Sequence, residues 1–145
     1  MISVTNQLRM NAYLCYSKPA CMNKDINSTE DIRLLVDTFY SEIQKDSLLG
    51  GIFTGVIKDW PKHLEKMYGF WQSILFSEDT YRGQSFEPHR HLPVERKHFD
   101  RWLALWSKTV DAYFSGERAE EAKNRAEKIA EVFWYKIDYL RNNKV

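Results

Sequence analysis

From Ser28 to Leu140 the apolar residues of this chain recur at intervals of three and four, and nowhere alternate with a period of two for long. That spacing gathers side chains on one face of an α-helix, so the chain must bury a series of helical stripes against one another. Ser28 precedes Glu30 and Asp31, an N-cap followed by acids that complement the helix dipole. Ile32, Leu35, Val36, Phe39, Tyr40 and Ile43 form the first stripe. Gly50-Gly51 ends it, and "IFTGVIKD" reads as a turn or short helix carrying Phe53. Asp59 can cap the next helix, with Pro61 tolerated in its first turn and a stripe of His63, Met67, Phe70, Trp71 and Ile74. "SEDTYRGQSFEPHRHLPV" breaks the periodicity and holds at most one short helix. A third long helix is expected from about Val94, with Phe99, Trp102, Leu103, Trp106, Val110 and Tyr113 inward. "SGE" interrupts it, and a last helix runs from about Glu117 to Asn142 with Ala119, Ala122, Ala126, Ile129, Phe133, Ile137 and Leu140 in register. The expected class is all-α, with antiparallel helix pairs on short connections.

The expected division is a flexible arm over 1–27 and one globular domain over 28–145. Cys15 and Cys21 lie in the arm without a metal-type spacing, and Met22 is a candidate alternative start. The arm lacks the apolar run of a secretory signal, and no stretch of about 18 apolar residues exists, so the expectation is a cytoplasmic protein with no membrane span. With 21 basic and 20 acidic side chains, no overall field favours nucleic acid or an anionic membrane. The carboxylates fall on faces expected to be solvated, and "ERAEEAKNRAEK" reads as an exposed helical surface.

The aromatic content is harder to explain by folding alone. Eight Phe, eight Tyr and five Trp exceed what a small core needs, whereas a flat apolar ligand would use them well. A histidine on an apolar stripe is by default a core residue satisfied by a backbone carbonyl. His63, however, is joined by Tyr40 on the first stripe and Trp102 on the third. A buried hydroxyl or N–H left unpaired costs about 1–3 kcal/mol, so three polar aromatic tips on three inward faces point to a shared polar spot inside an apolar chamber. A cofactor-free interaction domain would leave that placement unexplained. No Gly-rich phosphate loop, paired-cysteine metal site or nucleophile elbow occurs.

Phe39-Tyr40, "GGIF" ending at Phe53, "WPKH" with His63, "FW" at 70–71, "GQSFEPH" with His89 and "FDRWLALW" with Trp102 follow one another in an order that resembles the truncated haemoglobins, most closely the third group of that family. The likeness covers about 32–139. It implies a two-over-two helical sandwich around haem b (iron protoporphyrin IX), with His89 as the iron ligand. It also implies Tyr40, His63 and Trp102 as distal residues and Phe53 against the porphyrin edge. With them, Phe39, Met67, Phe70, Trp71 and Leu92 are expected to line the pocket, and Lys66 and either Arg90 or His91 to reach the propionates. His91, two residues beyond His89, is left between a propionate and solvent. The implied partners are the diatomic gases O2, NO and CO, together with an unidentified reductase if the protein turns over. Two or more donors above the ligand suit O2/NO chemistry, such as nitric oxide detoxification, or a peroxidase-like activity better than transport. A gas sensor or an O2-scavenging module is the alternative.

Overall fold

The computed structural model describes residues 23–143. Five α-helices follow in order: α1 (Thr29–Lys45), α2 (Gly50–Val56), α3 (Trp60–Phe76), α4 (Arg96–Tyr113) and α5 (Glu117–Asn142). A single 3-10 turn at Glu87–His89 interrupts the long connection from α3 to α4, and the described residues contain no strand. Helices α1 and α3 pack as one pair and α4 and α5 as another. The pairs stack with α1 against α4 and α3 against α5, giving a two-over-two sandwich. No helix among the described residues is long and apolar enough to cross a membrane.

The caps expected from the sequence form. Ser28 Oγ accepts from the Asp31 N–H at 3.2 Å, and Asp59 accepts from the Lys62 N–H at 3.1 Å, with Pro61 in the first turn. The glycine pair behaves differently from the expectation, because Gly50-Gly51 opens α2 rather than closing the first helical region. Asp46 makes that corner instead. Its carboxylate accepts from the N–H groups of Leu48 and Leu49 and pairs with Arg101 of α4 at 2.7 Å. The Arg101 guanidinium and these N–H donors together hold the Asp46 carboxyl below the usual carboxylate range.

Residues 23–27, expected in the arm, are built into the domain. Ile26 is fully buried, and Asp25 caps α5 by accepting from the N–H groups of Arg118 and Ala119 at 3.0 and 2.9 Å. Asp31, expected on a solvated face, is buried as well. Burial would raise its carboxyl, but the Lys24 ammonium at 2.6 Å and the Asn27 N–H at 2.9 Å outweigh it and lower the pKa. The rest of the arm, with Cys15 and Cys21, lies outside the described residues.

The centre of the core is aromatic. Trp106 stacks on Trp71 with centroids 4.4 Å apart and donates its indole N–H to the Ala122 carbonyl at 3.1 Å. That contact depends on the alanine stripe of α5, because small side chains let α4 and α5 approach closely. Inside α3, a Cβ on Gly69 would lie 2.6 Å from the Thr80 carbonyl oxygen. The missing side chain therefore lets the following loop fold back onto α3, where the Thr80 hydroxyl donates to the Gly69 carbonyl.

Candidate functional site

The two helix pairs and the α3–α4 connection enclose a cavity of about 440 Å³, within the range of ligand pockets. Helix α1 contributes Phe39 and Tyr40 to its lining, α2 Phe53, and α3 His63, Lys66, Met67, Phe70 and Trp71. The 3-10 turn contributes His89, the segment after it Leu92, and α4 Trp102. Residues scattered over some sixty positions of the sequence thus converge on one space.

Tyr40 is buried, and burial pushes its phenol far above its ordinary pKa, so the hydroxyl stays protonated and able to donate. The His63 ring meets it edge-on at 4.9 Å, and Trp60 closes on both rings at about 6 Å. His63 Nε2 is buried with no hydrogen-bond partner. Burial, then the positive charge of Lys66 and the repulsion His89 would exert if protonated, lower the His63 pKa. The Trp102 ring is held between Trp106, parallel at 6.3 Å, and Phe39, edge-on at 5.8 Å.

His89 is oriented from behind. Pro88 lies at the centre of the turn, the His89 N–H donates to the Phe86 carbonyl at 2.8 Å, and Nδ1 lies 2.7 Å from the Ser85 carbonyl oxygen. A carbonyl can only accept, so Nδ1 carries the proton and Nε2 keeps its lone pair. Burial lowers the His89 pKa against the opposing effect of the Ser85 bond, which favours the neutral ring a metal requires. The Phe133 ring packs on it at 4.9 Å.

Two expected cofactor contacts are not brought to this cavity. Arg90 is absent from the lining: its guanidinium pairs with Glu87 at 2.7 Å and lies over the Phe86 ring, on the outer side of the turn. In a turn this tight the residue after His89 is carried to the opposite side, so Arg90 does not line the cavity. His91 is exposed and does not line the cavity either. Lys66 does line it, alongside Lys58 and Lys62, all three with exposed side chains.

Other lining residues escaped sequence reasoning. Phe133 and Ile129 were legible only as the stripe of α5, and Tyr81, in an aperiodic loop, gave no signal. His98 is half-buried and reaches the cavity. Its Nδ1 accepts from the Glu95 N–H at 2.8 Å as part of a capping box at the start of α4.

The profile of the bacterial-like globin family matches residues 23–134. The chain belongs to the truncated haemoglobins. The group 3 truncated hemoglobin of Campylobacter jejuni is 32% identical to it over 109 residues, spanning 72% of this chain and 86% of that one. The crystal structure of the group III truncated hemoglobin from the same organism superposes with a TM-score of 0.73 at 30% identity, covering 80% of this chain and 95% of that one. The match takes in Asp25 and Ile26, which this truncated haemoglobin builds into its domain.

Membership in the globins implies haem, and the cavity fits it on its own evidence. Its size, its aromatic walls, one imidazole fixed with a free nitrogen, and one buried imidazole nitrogen without a partner all suit a planar apolar group with an axial metal.

Proposed function

We propose that this truncated haemoglobin holds haem b through His89 Nε2 and uses Tyr40, His63 and Trp102 to grip a diatomic ligand tightly enough for O2/NO chemistry. The observation that carries the reading is the contrast between the two histidines of one cavity. His89 is tied at Nδ1 to the Ser85 carbonyl, whereas His63 Nε2 is buried with nothing to bond. The first suits a fixed ligand to iron, and the second suits a group awaiting a small polar guest.

Bound haem would supply a ferrous iron that takes up O2, NO or CO. The protein's part is hydrogen bonding and exclusion of water. Tyr40 donates its hydroxyl proton's hydrogen bond to the guest, since its raised pKa keeps that proton in place. His63, neutral because its pKa is lowered, presents Nε2 as donor or acceptor according to its tautomer. The Trp102 indole can only donate, and its ring is fixed between Trp106 and Phe39. Each donor to a partly charged acceptor contributes about 1.5–3 kcal/mol, so two slow ligand loss by roughly a hundredfold or more. Lys66 supplies a cation for a propionate.

Slow release suits turnover of the bound gas. Conversion of nitric oxide to nitrate joins NO, O2 and one electron, so continued turnover requires an external reductant. Mixing the ferrous oxygenated protein with NO in a stopped-flow cell tests this. Nitrate equivalent to the protein, formed as fast as mixing allows, is expected; release of O2 without nitrate overturns the reading.

A further inference from the structure

Behind His89, on the outer surface, lies a second concavity of about 530 Å³, separate from the cavity just described. Tyr135 and Tyr139, one turn apart on α5, form one side of it with rings stacked at 6.4 Å and 24°. They are 69% and 55% exposed, unusual for two large rings standing side by side on a helix. Phe86 lies opposite, with the Arg90 guanidinium 5.7 Å and the Lys136 ammonium 4.9 Å from its ring centre. Arg90 is neutralised by Glu87, while Lys136 makes no ion pair among the described residues, so the groove keeps one free positive charge.

The groove and the inner cavity share a wall. Gly83, Gln84 and Ser85 line both, so a single backbone segment separates them. Ser85 is also the residue whose carbonyl accepts from His89 Nδ1 at 2.7 Å. A second connection runs through rings: Phe86 meets Phe133 edge-on at 5.4 Å, and Phe133 packs on His89 at 4.9 Å. Whatever lies in the groove is one hydrogen bond or two aromatic contacts from the axial imidazole.

We propose that this groove is an electron-entry site that binds a flat, anionic aromatic reductant of the reduced-flavin class. The tyrosine pair offers a stacking platform, Lys136 a partner for a phosphate, and the shared wall a short path inward. The concavity has the size of a small-ligand site, whereas a protein partner would need a far larger complementary area. The inference rests on the haem reading of the inner cavity. The step balances as a one-electron transfer. A dihydroflavin loses one electron and one proton, leaving a neutral flavin radical; ferric iron becomes ferrous, and the proton passes to water. Such a site supplies the electron that nitrate formation consumes.

The test has two arms on the haem-loaded protein, whose inner cavity is then closed to flavin. In the first, oxidised flavin mononucleotide is titrated with protein and its fluorescence followed. Saturable quenching is expected, weakened by about tenfold or more in Tyr135→Ala/Tyr139→Ala, since each lost stacking contact removes a comparable factor. Lys136→Gln weakens it severalfold, and both variants keep the parent Soret band. In the second arm, reduced flavin mononucleotide is mixed anaerobically with the ferric protein. A reduction rate that saturates with flavin concentration, and becomes slow and linear in the tyrosine double variant, supports the site. Quenching or rates unaltered in that variant overturn it. So does reduction that saturates only with a flavoprotein reductase, which would make this face a protein-docking surface. A chain that takes up no haemin fails the underlying haem reading instead, and the loss of quenching in Tyr135→Ala/Tyr139→Ala, residues absent from the inner cavity, then reports on the groove.

Discussion

The Tyr40 and His63 rings meet at 90° with centroids 4.9 Å apart, one from α1 and the other from α3. This contact closes the polar corner of an otherwise aromatic cavity, and it joins the two helices that form one layer of the sandwich. Tyr40→Phe keeps the ring and removes only the donor. Dissociation of O2 from the ferrous protein, followed by CO displacement, should accelerate by about tenfold or more. An unchanged rate would mean that the hydroxyl does not touch the ligand.

His63 also sets a pH dependence. Burial, then Lys66 and His89, place its folded pKa below 6.5. As pH falls below 6.5 the unfolded chain binds a proton that the folded chain refuses, so stability present above that pH is lost until the folded pKa is passed. Urea midpoints of the haem-free protein should therefore drop between about pH 7 and pH 5. His89, whose pKa is lowered in the same direction, contributes to the same drop. His63→Leu should flatten part of it, and a midpoint that rises on acidification would contradict the assignment.

The entry to α5 depends on a close fit of two residues distant in sequence. Gly116 has φ +131°, and a Cβ there would lie 2.6 Å from Asp25 Cγ. Gly116→Ala should cost about 1–3 kcal/mol through backbone strain, and more if Asp25 is displaced. Asp25→Ala should cost about 1–2 kcal/mol by freeing the N–H groups of Arg118 and Ala119. Urea unfolding measures both, and a neutral Asp25→Ala would show that this cap does not stabilise the domain.

Lys66 and Arg90 should separate cleanly in haem retention. Lys66 lines the cavity, so Lys66→Gln should speed haem loss to an excess of a scavenging apoglobin. The effect should be no more than severalfold, since exposed ion pairs are worth only about 0–1 kcal/mol. Arg90, paired with Glu87 outside the cavity, should give no change as Arg90→Gln. Equal effects from both would show that the turn opens when haem binds.

Most of this architecture was legible because helical periodicity is a local signal. The stripes of α1, α3, α4 and α5 and the caps Ser28 and Asp59 are written in consecutive residues. The ordered set from Phe39 to Trp102 was legible through its resemblance to the truncated haemoglobins, and its members line one cavity. What escaped depends on contacts distant in sequence. Asp25 and Ile26 look like arm residues until α5 and the core meet them. Tyr81 reaches the cavity only because Gly69 lets its loop lie close on α3. The course of Arg90 away from the cavity was not legible, because spacing along a chain does not reveal the hand of a three-residue turn, and the salt bridge to Glu87 faces it outward.

On the proposed reading His89, not His91, binds the iron. Absorption spectra of the ferric, ferrous and CO forms, recorded on haemin-reconstituted His89→Ala and His91→Ala, test it most directly. The structure fixes His89 Nδ1 on the Ser85 carbonyl within the cavity and leaves His91 exposed. His91→Ala should therefore reproduce the parent spectra in all three states, while His89→Ala loses the signature of axial imidazole. Loss of that signature in His91→Ala, with His89→Ala unaffected, would contradict the account.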